Sequence, residues 1–80
     1  MTVRVVPFAR IRELVGGPHS VALPPGSRVD ALWAALAGQC PALAELEAST
    51  RIARNGRIAG PNEVLEEGDE IALFPPVGGG

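Results

Sequence analysis

At 80 residues the chain has room for one domain and not two, and a fold this small buries only about 60% of its unfolded surface, which disfavours a deep active-site cleft. Its 46% apolar and 20% charged residues are globular in composition, and a net charge of −2, seven arginines against nine acids, lacks the basic excess that nucleic acid demands. The single cysteine, Cys40, excludes an internal disulfide and a multi-cysteine zinc site and reads as a small buried hydrophobe. Met1 to Phe8 lacks the pattern of a signal peptide, and no run approaches the roughly 18 apolar residues of a membrane helix, so the expected location is cytoplasmic, with no membrane partner.

In chain order, Val3 to Phe8 reads as a strand with apolar side chains on both faces, ending or bulging at Pro7, which cannot donate a ladder bond. Ile11 to Val15 can make one helical turn before Gly16-Gly17-Pro18 breaks it. Ser20 to Leu23 alternates as a second strand, closed by Pro24-Pro25-Gly26. The main helix follows, with Ser27 as N-cap and Asp30 as its capping-box partner. Val29, Leu32, Trp33 and Leu36 form one apolar stripe, Gly38 is placed at C′, and Pro41 bars continuation. Ala42 to Glu47 makes a further short turn with Leu43 and Leu46 inward. Arg51 to Arg54, the pair Asn55-Gly56 and Arg57 to Ala59 spell a strand, a type I′ turn and a strand. Gly68-Asp69 turns into the last strand, Glu70 to Phe74, which Pro75-Pro76 terminates.

Strand, strand, helix, strand, strand, strand is the order of the β-grasp (ubiquitin-like) fold, an α+β architecture with a mixed five-stranded sheet and one main helix. The first and last strands, being the most apolar, belong side by side and parallel at its centre, with Val5 near Ile71. Residues 1–80 read as one such domain, with 75–80 as an extended C-terminal tail.

No enzymatic constellation is complete. His19 is the only histidine, has no cysteine or second histidine beside it, and reads as a solvated surface residue. Glu63, Glu66, Glu67, Asp69 and Glu70 crowd around a turn, where acids are ordinarily solvated; the alternative is a docking patch. No metal site is expected. What remains is the end of the chain. Pro75 and Pro76 hold φ near −65° and send the tail out of the sheet in extended form, with a reach of roughly 18 to 20 Å from Pro75 to Gly80. Val77, Gly78, Gly79 and Gly80 are slim enough to thread a narrow channel in a partner. A carboxylate at Gly80 is ionised at neutral pH and inert until activated. A nucleotide-dependent partner could convert it to an acyl-adenylate, and a sulfur donor could then make it a thiocarboxylate.

The tail Phe74-Pro75-Pro76-Val77-Gly78-Gly79-Gly80, the preceding Gly68-Asp69-Glu70 and the opening Phe8-Ala9-Arg10-Ile11-Arg12-Glu13-Leu14-Val15-Gly16 resemble the ThiS/MoaD family of β-grasp sulfur carriers. The likeness is to its branch of molybdopterin synthase small subunits (MoaD), and it spans essentially the whole chain. The resemblance implies that a ubiquitin-activating-type enzyme adenylates Gly80 with ATP and that a persulfide-bearing sulfurtransferase supplies sulfur. The thiocarboxylate then enters the large subunit of molybdopterin synthase, in a heterotetramer, to deliver sulfur to cyclic pyranopterin monophosphate in molybdenum cofactor biosynthesis. On this reading the chain binds no cofactor and is no enzyme alone, the other catalytic residues lying on the large subunit. Phe74, Pro75, Pro76, Phe8 and Arg12 are expected at the docking surface.

The same terminus would also serve a sulfur carrier for thiamine thiazole or amino-acid biosynthesis, or a ubiquitin-like protein modifier. Without a lysine, the chain cannot form polymers on its own lysine side chains. A binding module using Pro75-Pro76 as a polyproline ligand is a third reading, weakened by the shortness of the element.

Overall fold

A computed structural model of the chain describes residues 1–75. Five strands form one mixed sheet: β1 (Thr2–Pro7), β2 (His19–Ala22), β3 (Arg51–Arg54), β4 (Arg57–Ile58) and β5 (Glu70–Phe74), in the order β2-β1-β5-β3-β4. β1 and β5 run parallel with Val5 opposite Ile71, and the other neighbours are antiparallel. Both the parallel adjacency and the Val5–Ile71 register agree with the expectation from their apolar sequences. β1 differs in one respect. Val3, Val5 and Pro7 point into the core, while on the opposite face Thr2 and Arg4 are exposed and Val6 alone is apolar and half-buried, so the second face is apolar only at its end. One side of the sheet is covered and the other is open at this strand, which is the usual reason for alternation.

The main helix, α2 (Val29–Gln39), buries Val29, Leu32, Trp33 and Leu36. These meet Val3, Val5, Leu23, Leu43, Leu65, Ile71 and Leu73 in one core. A shorter helix, α1 (Ala9–Val15), adds Ile11 from the other side of Pro7, and a 3-10 helix (Pro41–Ser49) adds Leu43.

Two expectations about the ends of α2 are corrected. Ser27 is not the N-cap: its hydroxyl donates to the Pro24 carbonyl at 2.7 Å, and Arg28 holds the capping position without a side-chain bond. The free N–H groups of the first turn find acceptors across the fold, Val29 on the Glu63 carbonyl and Asp30 on the Pro61 carbonyl, both at 3.0 Å. A neighbouring loop thus does the work of a cap. Gly38 is not C′ either. It lies inside the helix, which ends at Cys40 with φ −135°, because Pro41 forces its predecessor into extended backbone.

The hairpin forms as the pair Asn55-Gly56 dictates, with φ +50° and +86°, both in the left-handed region. No helix among the described residues is long and apolar enough to cross a membrane.

Candidate functional site

The parallel register sets the site. With Val5 opposite Ile71 and Pro7 opposite Leu73, the next residues along, Phe8 and Phe74, come side by side on the face away from buried Leu73. Their rings stack with centroids 4.8 Å apart and planes within 8° of parallel. Both stay accessible, Phe8 at 42% and Phe74 at 36%. The Phe8 N–H donates to the Leu73 carbonyl at 3.0 Å and pins the arrangement. Ala9 then turns the chain out of the strand directly into α1 with φ +49°, a left-handed conformation that costs a residue with a β-carbon roughly 1 kcal/mol. An exposed aromatic pair at the end of β5 is well made for an interface anchor.

The expected site residues fall into three groups. Phe8, Phe74 and half-buried Pro75 are brought together at the end of β1 and β5. Arg12 is exposed one turn into α1, with its guanidinium over the Gly16-Gly17 turn: Nη2 lies 3.8 Å from where a β-carbon on Gly17 would sit. Pro76, Val77, Gly78, Gly79 and Gly80 lie outside the described residues.

At the opposite end of β5 lies a feature the sequence reading missed. Asp69, expected among solvated acids, is only 6% exposed. Its carboxylate accepts from Arg54 Nε at 2.7 Å, from Asn55 Nδ2 at 2.9 Å and from the Glu66 N–H at 2.7 Å. Arg54 also meets Glu63 at 3.2 Å and Glu66 at 3.7 Å. Asn55 reaches further: its side-chain oxygen accepts from the Glu70 N–H at 2.8 Å. The hairpin turn is thereby clamped to the turn that launches β5. Burial pushes the Asp69 carboxyl up, but the Glu66 N–H, Asn55 and the Arg54 guanidinium together outweigh it and hold the group below the usual aspartate value.

A depressed folded value means that the ionised clamp stabilises the fold above the unfolded carboxyl's pKa of about 3.9, and that this stability is lost as pH falls through the lower folded value. Asp69→Asn, which leaves buried donors short of an acceptor, is expected to cost about 1–3 kcal/mol at neutral pH. In urea melts across pH, the gap between parent and variant should narrow on the acid side. A gap independent of pH would show that the charge of Asp69 is not what the clamp uses.

Two further expectations are refined. His19 is half-buried at the start of β2, its Nδ1 donating to the Gly17 carbonyl at 2.9 Å, so it braces its own turn and is not a freely solvated residue. Cys40 is half-buried, with Sγ 3.7 Å from the Leu14 carbonyl, and so is less enclosed than a core cysteine. Among the described residues no three His, Cys, Asp or Glu side chains are grouped to hold a metal ion.

The molybdopterin synthase sulfur carrier subunit of Escherichia coli (strain K12) is 36% identical over 80 residues, covering 98% of this chain and 99% of the relative. The crystal structure of SAMP1 from Haloferax volcanii superposes with a TM-score of 0.86 at 31% identity, all of both chains being covered. A protein-protein complex of subunits 1 and 2 of molybdopterin-converting factor from Helicobacter pylori 26695 contains a chain matched with a TM-score of 0.71 at 30% identity, again over the full length of both. The ThiS family matches residues 5–80, from the middle of β1 through the glycine tail, and the chain belongs to that family.

Proposed function

We propose that this chain is the sulfur carrier subunit of a molybdopterin synthase and that its working group is the carboxylate of Gly80. The observation that carries the reading is the exposed Phe8–Phe74 stack at the root of the tail, in a chain of the ThiS family with a full-length relative of that function. The folded body docks through the aromatic pair, and Pro75 and Pro76 direct Val77, Gly78 and Gly79 into the partner. An adenylating enzyme of the ubiquitin-activating type first joins AMP from ATP to Gly80. The outer sulfur of a sulfurtransferase persulfide then attacks the Gly80 carbonyl and expels AMP, and a thiol reductant cleaves the S–S bond of the resulting acyl disulfide, leaving a thiocarboxylate. The partner in the synthase reaction is the large subunit, as in the Helicobacter pylori complex of subunits 1 and 2. It receives the tail, supplies the remaining catalytic groups and presents cyclic pyranopterin monophosphate. The assembly is a heterotetramer of two carriers and two large subunits, and no cofactor is bound by the carrier itself.

The test is intact-mass and peptide mass spectrometry of the chain after incubation with the adenylating enzyme, ATP and a sulfur donor. Sulfur in place of one oxygen at Gly80 is the expected product. A second reading, a ubiquitin-like protein modifier, is favoured by the full-length match to SAMP1, the small archaeal modifier protein 1 of Haloferax volcanii. It predicts Gly80 in amide bonds to other proteins and no requirement for the thiocarboxylate.

Docking has its own test. Phe74→Ala and Phe8→Ala are each expected to weaken binding to the large subunit by about tenfold or more, roughly 1.4 kcal/mol, while the chain stays folded, because both rings are exposed. Calorimetric titration of each variant against the large subunit measures this. Unchanged affinity in both would remove the aromatic pair from the interface.

A further inference from the structure

Phe8 is held from two sides, and a single residue joins the two holds. Its N–H donates to the Leu73 carbonyl of β5 at 3.0 Å, and its carbonyl accepts from the Ile11 N–H at 3.1 Å and the Arg12 N–H at 3.3 Å in α1. The β1–β5 ladder fixes the chain before Phe8, and fully buried Ile11 fixes it after. No loop separates strand from helix beyond Phe8 itself, which is extended with φ −124° and ψ 155°, and α1 begins at Ala9. Ala9 therefore absorbs the change of direction alone, at φ +49°. Among the described residues the other non-glycine at positive φ is Asn55, and asparagine tolerates the left-handed region where alanine does not. The Ala9 side chain is exposed, so packing around its β-carbon does not account for the conformation.

We propose that Ala9 is a positioning residue for docking: its left-handed backbone holds Phe8 in the stack with Phe74 that meets the large subunit. The proposal rests on the docking role given to the aromatic pair above. A residue that leaves positive φ at this position must break one of the two holds on Phe8. Ile11 has no exposed surface and keeps its place, whereas Phe8 is exposed, so Phe8 moves and the stack opens. Chains with an open stack are not ready to dock, and the apparent affinity falls with the fraction that remains closed. The strain at Ala9 is thus retained at the binding surface, where it keeps the ring pre-organised.

The experiment compares Ala9→Asn with Ala9→Val, each full-length, alone and combined with Phe8→Ala. The two side chains are similar in size, but asparagine enters the left-handed region readily and a β-branched residue does not. Thermal melts establish that each variant folds. NMR follows the ring protons of the two phenylalanines in the free chain, and calorimetry measures affinity for the purified large subunit. Ala9→Asn is expected to keep the parent's ring shifts and to bind at least as tightly. Ala9→Val should move both sets of ring shifts toward unstacked values and bind about fivefold or more weakly, a loss that disappears in the Phe8→Ala background. Should Ala9→Val not fold, Ala9→Leu takes its place with the same expectations. Equal losses of affinity in the asparagine and valine variants would show a direct contact between position 9 and the partner and overturn the proposal. So would parent-like ring shifts and affinity in Ala9→Val, or a loss that persists without the Phe8 ring; in each case the carrier function stands. A parent chain that keeps its stack but does not bind the large subunit would overturn both.

Discussion

A chain lengthened by one residue beyond Gly80 is expected to fold and melt as the parent does and to transfer no sulfur. The first half follows from where the stability lies: among the described residues the buried core is assembled from side chains between Val3 and Leu73, all of which the lengthened chain keeps. The second half follows from the chemistry. Activation requires a free carboxylate at Gly80, and an added residue turns that carboxylate into an amide while moving the new terminus about 3.3 Å further along the tail. A partner that aligns the terminus for attack loses orders of magnitude in rate from a displacement of this size. Gly79→Val is expected to impair the same step for a different reason, since its branched side chain stiffens the backbone and widens the segment that threads the partner. Reconstitution with the adenylating enzyme, ATP, a sulfur donor, the large subunit and the pterin precursor, read out as dithiolene formation, measures both variants. Binding to the large subunit should persist in part, through Phe8 and Phe74. Full activity from the extended chain, with mass spectrometry showing that the extra residue has not been trimmed, would rule out the terminal thiocarboxylate.

Trp33→Ala is expected to lower stability by about 3–5 kcal/mol, a large fraction of what a domain this small possesses. Trp33 is 4% exposed and packs from α2 among the residues that join the helix to the sheet. Truncation removes the largest side chain of that contact and leaves a cavity that α2, held at its N-terminus by the Pro61 and Glu63 carbonyls, is poorly placed to close. Among the described residues the indole N–H of Trp33 has no acceptor. Trp33→Phe should therefore cost much less than the alanine variant, because it forfeits ring volume but no hydrogen bond. Thermal and urea melts of the pair separate the two terms. If Trp33→Ala melts with the parent, the ring is not part of the core. If Trp33→Phe is as damaging as Trp33→Ala, the N–H has a partner that this packing does not show.

What the sequence by itself determined is whatever depends on a few consecutive residues or on a strong periodicity. Asn55-Gly56 specified its hairpin because both positions need positive φ, and Pro7 ended β1 because it has no N–H for the ladder. The spacing of Val29, Leu32, Trp33 and Leu36 identified the buried stripe of α2, and the apolar character of β1 and β5 placed them side by side. The same local logic raises the expectation of an extended terminus after Pro75-Pro76, and residues 76–80 lie outside the described residues. Phe74 was legible as a docking candidate, but its ring stack with Phe8 was not. That contact exists only because a parallel register aligns two strands separated by most of the chain. Local reading misplaced the N-cap of α2, because the groups that satisfy its N–H donors are carbonyls of a loop more than thirty residues later. It also mistook Asp69 for a solvated acid. An aspartate beside a turn is ordinarily wet, and only the meeting of Arg54, Asn55 and the Glu66 N–H around it supplies enough hydrogen bonds and charge to offset the cost of its burial.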